Sequence, residues 1–300
     1  MRRAIALGAI GVVGTLSMAV CGALTQAQAP KVIDIEKVRD NLFVLTTSTP
    51  GNPETFSGGN VAVLVTDAGV VLVDTKLAGW GQAVLDKIKT VTDKPVTTII
   101  NTHTHGDHTG NNGFFGASVD SVTHENTAAN MAKMDAFKGD TAKFLPKKTF
   151  KDKMSITSGK DRIDLYYFGT GHTNGDTFIV FPALRVMHAG DMFPWRDAPF
   201  IDRNNGGSGV SHPQTLAKLL AGIKNVDTVI PGHTAVTTWK DLEEYQRFSA
   251  DLLASVQAAI KEGKSAGDAV ASIDLTPKYK GYASQRMKAA VEAIYAELKP

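Results

Sequence analysis

Residues 101–110 read Asn-Thr-His-Thr-His-Gly-Asp-His-Thr-Gly, so three of the eight histidines and an aspartate fall within six positions. The run follows directly on a β-branched segment, Thr97–Ile100, that reads as a buried strand. In an extended segment His103 and His105 share one face, because side chains alternate with period two. A turn at Gly106 then redirects Asp107 and His108 toward a second point. Imidazole and carboxylate in this density are the donors of a borderline divalent metal, zinc above all. The chain's single cysteine excludes both an internal disulfide and a thiolate zinc site, so nitrogen and oxygen must do the binding.

Three further ligand-type residues stand downstream, each beside glycine at a predicted strand or loop boundary. They are His172 in Gly-His-Thr, Asp191 in Ala-Gly-Asp and His233 in Pro-Gly-His-Thr. Glycine permits close backbone approach to a crowded site. With the run at 101–110, these positions describe one multidentate site assembled from four separate stretches of chain.

The pattern along the sequence alternates strands and helices. Strands are predicted at Asn41–Thr46, Asn60–Val65, Val70–Val73, Thr97–Ile100 and Ser118–Val122, with Asp74 closing the third. Thr66-Asp67-Ala68-Gly69 reads as a hairpin turn. Helices are predicted near Trp80–Lys89 and over Glu125–Phe137, then a lysine-dotted loop over Lys143–Lys153. A second strand-rich stretch follows at Ile163–Phe168, Thr177–Phe181, Arg185–His188 and Thr228–Ile230, with a helix near Pro213–Ile223. Lys240–Ile260 and Ser284–Leu298 read as helices. Hairpin strands followed by a helix, repeated in two halves, predict two mixed sheets with helices outside. No Gly-x-Gly-x-x-Gly fingerprint opens a helix after the first strand, which argues against a dinucleotide fold.

Residues 1–29 are set apart. Arg2 and Arg3 precede an uncharged apolar stretch, Ala4–Val20, and small residues up to Ala29, the layout of a cleaved secretory signal peptide. Cleavage is expected after Ala27 or Ala29. A retained membrane anchor is the competing reading, opposed by four glycines (Gly8, Gly11, Gly14, Gly22) and the Ala-Gln-Ala ending. Of 32 basic and 30 acidic residues only Arg2 and Arg3 lie in this segment, so the remainder is neutral and also thiol-free. A neutral chain has no electrostatic footprint for nucleic acid. A secreted or periplasmic protein without stable membrane association is expected.

The ligand pattern resembles the metallo-β-lactamase superfamily, whose mark is His-x-His-x-Asp-His followed by a distant His, Asp and His. The likeness covers about residues 41–240 and includes the early aspartate, Asp74. It implies a four-layer αβ/βα sandwich with the site along one edge of both sheets. It also implies that His103, His105 and His172 hold a first zinc, and Asp107, His108 and His233 a second. Asp191 would bridge the two, and Asp74 would orient the ligand loop. Asp107 and His233 are then the expected catalytic residues. Two ions about 3.5–4 Å apart can share a hydroxide that attacks a carbonyl, so no serine or cysteine nucleophile is required. The expected organisation is a catalytic domain over residues 30–245 and a helical extension over 246–300.

Other residues draw plainer expectations. His124 is read as a helix cap or core residue, His188 as a partner of the ligands or a satisfied buried histidine, and His212 as a loop residue. Trp195 and Arg196 are candidates for the cleft wall, or an exposed tryptophan and a surface ion pair. Within the resemblance, the histidine at 105 opposes the di-iron flavoprotein branch, where glutamate is expected. Lactonases share the bridging aspartate, but the best known follow it with tyrosine, whereas this chain has Met192-Phe193-Pro194. Most true β-lactamases carry cysteine or serine at the position of Asp191, with a lysine or serine after it for the drug carboxylate. The expected function is a secreted dinuclear zinc hydrolase opening a small cyclic amide or ester, a β-lactam first. The alternatives are a lactonase or thioesterase, a mononuclear-iron persulfide dioxygenase, or a non-catalytic metal-binding protein.

Overall fold

The computed structural model describes residues 33–47 and 55–299. The segment read as a signal peptide lies outside the described residues. Among them, two mixed sheets of seven and six strands stand face to face with helices outside, the predicted αβ/βα sandwich. The first sheet runs in chain order through β1 (Ile33–Arg39), β2 (Leu42–Thr47), β3 (Val61–Val65), β4 (Val70–Val73), β5 (Val96–Ile100), β6 (Asp120–His124) and β7 (Lys148–Phe150). The second is ordered β13 (Thr237–Thr238), β12 (Thr228–Pro231), β11 (Val186–Gly190), β10 (Phe178–Phe181), β9 (Ile163–Tyr166), β8 (Lys153–Ile156).

Strand alternation builds the layers. In β3 and β4, Ala62, Leu64, Val71 and Val73 face the second sheet, while Val61, Val63, Val70 and Leu72 face outward onto helix α1 (Gly81–Lys89). In β10, Ile179 and Phe181 face inward, and Phe178 and Val180 point to the helices. Period-two side chains make both faces of each sheet apolar, so each must be covered. The first sheet is covered by α1. The second is covered by α4 (His212–Gly222), α5 (Trp239–Lys261) and α7 (Met287–Leu298), whose Leu216, Leu242, Phe248 and Val291 enter one core. The short α6 (Ala266–Ser272) adds Ala269 to that core. Tyr245, at the expected domain boundary, lies within α5 and is buried in the core of the second sheet.

Some local expectations are corrected. The helix expected over Glu125–Phe137 stops as α3 at Met131, and a separate 3-10 turn covers Asp135–Phe137. The expected lysine loop carries β7 and the start of β8, because Phe150 drops into the inter-sheet core while its lysine neighbours stay in water. The strand β1 and helix α6 were not foreseen. Their apolar alternation is incomplete, and their order comes from pairing with β2 and packing on α7.

Position of the site follows from strand direction. β4 and β5 run parallel in one sheet, β11 and β12 in the other, and the carboxyl ends of all four meet at one edge. Backbone bonds stitch the sheets there: Asn60 N–H to Gly232 O (2.7 Å) and Thr177 N–H to Thr102 O (2.8 Å). His188 adds a third tie, donating from Nε2 to Asn60 O (3.2 Å) while accepting from Gly190 N–H (3.1 Å).

Candidate metal centre

The loop after β5 bends through Thr102–Thr104, is extended at His105, and then turns into α2 (Gly106–Thr109), a single helical turn. That change of backbone aims His103 and His105 one way and Asp107 and His108 another. Asp74, at the end of β4, anchors the arrangement. Its buried carboxylate accepts from Thr102 N–H (2.8 Å), Thr102 Oγ1–H (2.7 Å) and His108 Nδ1–H (2.7 Å). The residue adopts φ 68°, a left-handed conformation that aspartate tolerates better than most side chains.

On His103, His105 and His172 the outer ring nitrogen is committed. His105 Nε2–H donates to Asp202 Oδ2 and His172 Nδ1–H to the carbonyl of Phe200, both at 2.7 Å. The Thr102 hydroxyl gives its proton to Asp74, so it accepts from His103 Nδ1–H at 2.9 Å. The inner nitrogens therefore bear lone pairs. His105 Nδ1 and His172 Nε2 face one another at 3.0 Å, and His103 Nε2 is buried with no hydrogen-bond partner. Lone pairs converging on one point in a buried site repel unless a cation lies between them.

A second group lies beside the first. His108 Nε2 stands 3.3 Å from His233 Nε2, and Asp107 Oδ2 is 3.6 and 3.4 Å from the two. Ligands bonded at 2.0–2.1 Å to a tetrahedral ion lie about 3.3 Å apart, so these spacings fit such an ion. Asp191 reaches both groups: Oδ2 is 3.1 Å from His233 Nε2 and 3.8 Å from His172 Nε2, and Oδ1 is 3.4 Å from His108 Nε2. His103, His105, His172 and Asp191 could thus hold one ion, and Asp107, His108 and His233 another. The structure brings all seven ligand-type residues singled out in the sequence to one place.

Electrostatics divides the labour. Burial, helped by the neighbouring His108 and His172 charges, holds the pKa of His103 well below that of a free imidazole. Burial pushes His172 down to about 4. These rings are neutral at pH 7 and need lose no proton to bind metal. His108 behaves oppositely. Burial works against its proton, but Asp107, Asp191 and Asp74 outweigh it and raise the pKa well above the usual value.

Glycine is required at two contacts. A Cβ on Gly59 would lie 2.2 Å from the His108 ring, and one on Gly232 would lie 1.9 Å from Asp191 Oδ1. The site opens into a cleft of about 600 Å³ whose walls include Phe56, Leu77, Phe200 and Arg286. That volume is within the usual range for a small-molecule pocket.

The family model of the metallo-beta-lactamase superfamily matches residues 55–233, more than half of the chain, and spans every ligand-type residue. The chain belongs to the metallo-β-lactamase superfamily. A metallo-beta-lactamase type 2 of Elizabethkingia meningoseptica is 28% identical over 249 residues, covering 81% of this chain and 93% of that one. Metallo-beta-lactamase IND-1 of Chryseobacterium indologenes is 26% identical over 211 residues, 69% of this chain and 84% of its own. The solved metallo-beta-lactamase from Pontibacter korlensis shares the fold with TM-score 0.61 and 22% identity, over 73% of this chain and 99% of that one. As a member of this superfamily the protein is a metal-dependent hydrolase.

Within this metallo-β-lactamase fold the remaining candidates sort themselves. His124 caps α3, accepting from Asn126 N–H at 3.2 Å, and stacks on Tyr167. His188 is buried and satisfied, and burial pushes its pKa down to about 4. His212 is not a loop residue. It opens α4, buried against Tyr245, because the Pro213 that suggested a turn sits in the first turn of the helix instead. Arg196 makes a surface ion pair with Asp241, while Trp195 lies 5.9 Å from the His233 ring. The sequence reading missed four residues. Asp202 fixes His105, Phe200 supplies the carbonyl for His172, and Arg286 reaches the cleft from the start of α7. The fourth, Lys76, is fully buried beside Asp74 and donates to Thr46 O at 3.2 Å, with burial pushing its pKa down to about 7 against Asp107 and Asp74. Asp202 stands in a polar loop with no ligand-type pattern around it, so nothing in the local sequence marks it.

Proposed function

We propose that the protein is a dinuclear zinc hydrolase that opens the amide of a β-lactam ring and acts outside the cytoplasm once a leader at residues 1–29 is removed. The observation carrying this reading is the convergence of three lone-pair nitrogens, on His103, His105 and His172, whose opposite ring positions are already bonded, beside a second group of Asp107, His108 and His233, with Asp191 within 4 Å of both. His103, His105 and His172 would hold one ion, Asp107, His108 and His233 the other, with Asp191 between them. Zinc held by these residues would supply an acidified water and polarisation of a carbonyl. Asp202, Phe200 and Asp74 keep the three imidazoles oriented, which fixes ligand geometry and raises ligand basicity. We assign the leaving-group side of the scissile bond to Asp107, whose carboxylate is partly open to the cleft, and to His233 at the cleft wall. The relatives named as metallo-β-lactamases support the β-lactam as first substrate.

The test is metal analysis joined to a hydrolysis panel of β-lactams, acyl-homoserine lactones and thioesters. About two zinc per chain with β-lactam turnover is the expected result. One iron per chain would move the protein to the persulfide dioxygenases. Untouched β-lactams beside a turned-over lactone or thioester would replace the substrate.

A further inference from the structure

The cleft has one permanently cationic side chain on its wall, and it comes from residues beyond the family match. Arg286 precedes the first turn of α7 and lines the same cavity as Asp107, Asp191 and His233. Two tethers hold this segment to the loop that follows Asp191. The backbone N–H of Arg286 donates to Asp197 Oδ2 (3.3 Å), and Ala283 N–H donates to Arg196 O (2.8 Å). The guanidinium carbon lies over the Trp195 ring, 4.0 Å from its centroid, and over that of Phe200 at 5.4 Å.

Stacking occupies the faces of a guanidinium and leaves its N–H edge for hydrogen bonds. Here one nitrogen of that edge, Nη1, is unused. Among the described residues no carboxylate pairs with Arg286 and its Nη1 is buried without a hydrogen-bond partner. Asp197, tethered to the same segment, takes backbone N–H groups of Ala198 and Arg286 instead. An arginine serving only to brace the fold would have its fork filled. When ions occupy the two ligand groups, Asp107 and Asp191 are committed to them, and the acid left near the guanidinium is Asp197, which accepts from backbone N–H groups.

We infer that Arg286 is the anion receptor of the cleft, gripping a carboxylate of the substrate beside the bond that is cut. The inference rests on the hydrolase reading above and narrows it: the substrate is a carboxylate-bearing cyclic amide or ester, not a neutral one. Trp195 and Phe200 hold the fork in place, and the helix start fixes its distance from the metal ligands. Charge-assisted bonds to a planar fork give both affinity and orientation.

Two arms test it on the zinc-loaded protein. In the kinetic arm, benzylpenicillin is compared with its methyl ester. Arg286→Met keeps a long side chain over Trp195 and should raise KM for the acid about tenfold or more, the loss expected of one charge-assisted contact. Its kcat should change far less, and both constants for the ester should stay put. Arg286→Lys should recover part of the acid's KM. The binding arm needs no turnover: calorimetry with succinate and with neutral succinamide. Succinate should bind the wild type and lose about tenfold in Arg286→Met, with succinamide indifferent to the change. Equal succinate affinity in wild type and Arg286→Met overturns the inference, as does an equal loss for acid and ester, which marks a bracing role. If no β-lactam is opened but the succinate difference holds, the receptor stands and the β-lactam reading falls.

Discussion

Asp74→Asn replaces the buried anchor of the ligand loop with a side chain of nearly the same shape. The amide oxygen can still accept from Thr102 N–H, but its NH2 group then meets two donors, Thr102 Oγ1–H and His108 Nδ1–H. Two charge-assisted bonds are lost, each about 1.5–3 kcal/mol. Relief from burying a carboxylate returns part of that, so a loss of about 2–4 kcal/mol is expected. For a protein stable by about 5–15 kcal/mol this is large but leaves it folded. His108 escapes the donor clash only by moving its proton to Nε2, the atom that faces His233. The second ligand group should therefore lose about 10–100-fold in metal affinity, the usual effect of removing an outer partner. The first group, whose outer bonds go to Asp202, Phe200 and Thr102, should lose much less. Urea unfolding of the chelator-treated protein gives the stability term, and competition with a chromophoric chelator resolves the two metal affinities. Unchanged affinity in both steps, or an unfolding loss below about 1 kcal/mol, would refute the reasoning.

Two further outcomes follow from packing and burial. Gly59→Ala places a methyl group 2.2 Å from the His108 ring, so the ring must move. Metal content by mass spectrometry should fall from two ions to one with the far-UV spectrum kept, and retention of both ions would show that the loop gives way instead. His212 has its pKa pushed down to about 3 by burial, then by the His172 charge, against about 6.5 when unfolded. The unfolded chain binds the extra proton between these values, so the stability His212 contributes is complete above pH 6.5 and is lost as pH falls toward 3. His212→Leu should flatten the acid limb of stability against pH by about 1.4 kcal/mol per unit in metal-free protein, and parallel limbs would sink the assignment.

Particular elements show how far the sequence reaches. The strand pairs around Asp74 and the run at 101–110 are legible because β-branched alternation and a turn at Gly69 are local signals. Helix α3 was overextended because Ala132–Phe137 keeps apolar spacing that the structure uses in a 3-10 turn. β7 was hidden among lysines because a three-residue strand has one buried side chain, Phe150, to announce it. His212 was misplaced because Pro213 signals a turn and a first helical turn alike.

By itself the sequence singled out, in kind and number, the residues that could hold metal. Imidazoles and carboxylates spaced two, three and five apart on a strand end have little else to do together, and the lone cysteine removes the thiolate option. Only the tertiary structure decided what those residues are held by and what they face. Asp202 reaches His105 across 97 positions of chain, and Arg286 arrives at the cleft from the last helix. Such partners obey no local spacing, because they are selected by where two sheets and their covering helices bring distant loops to one edge.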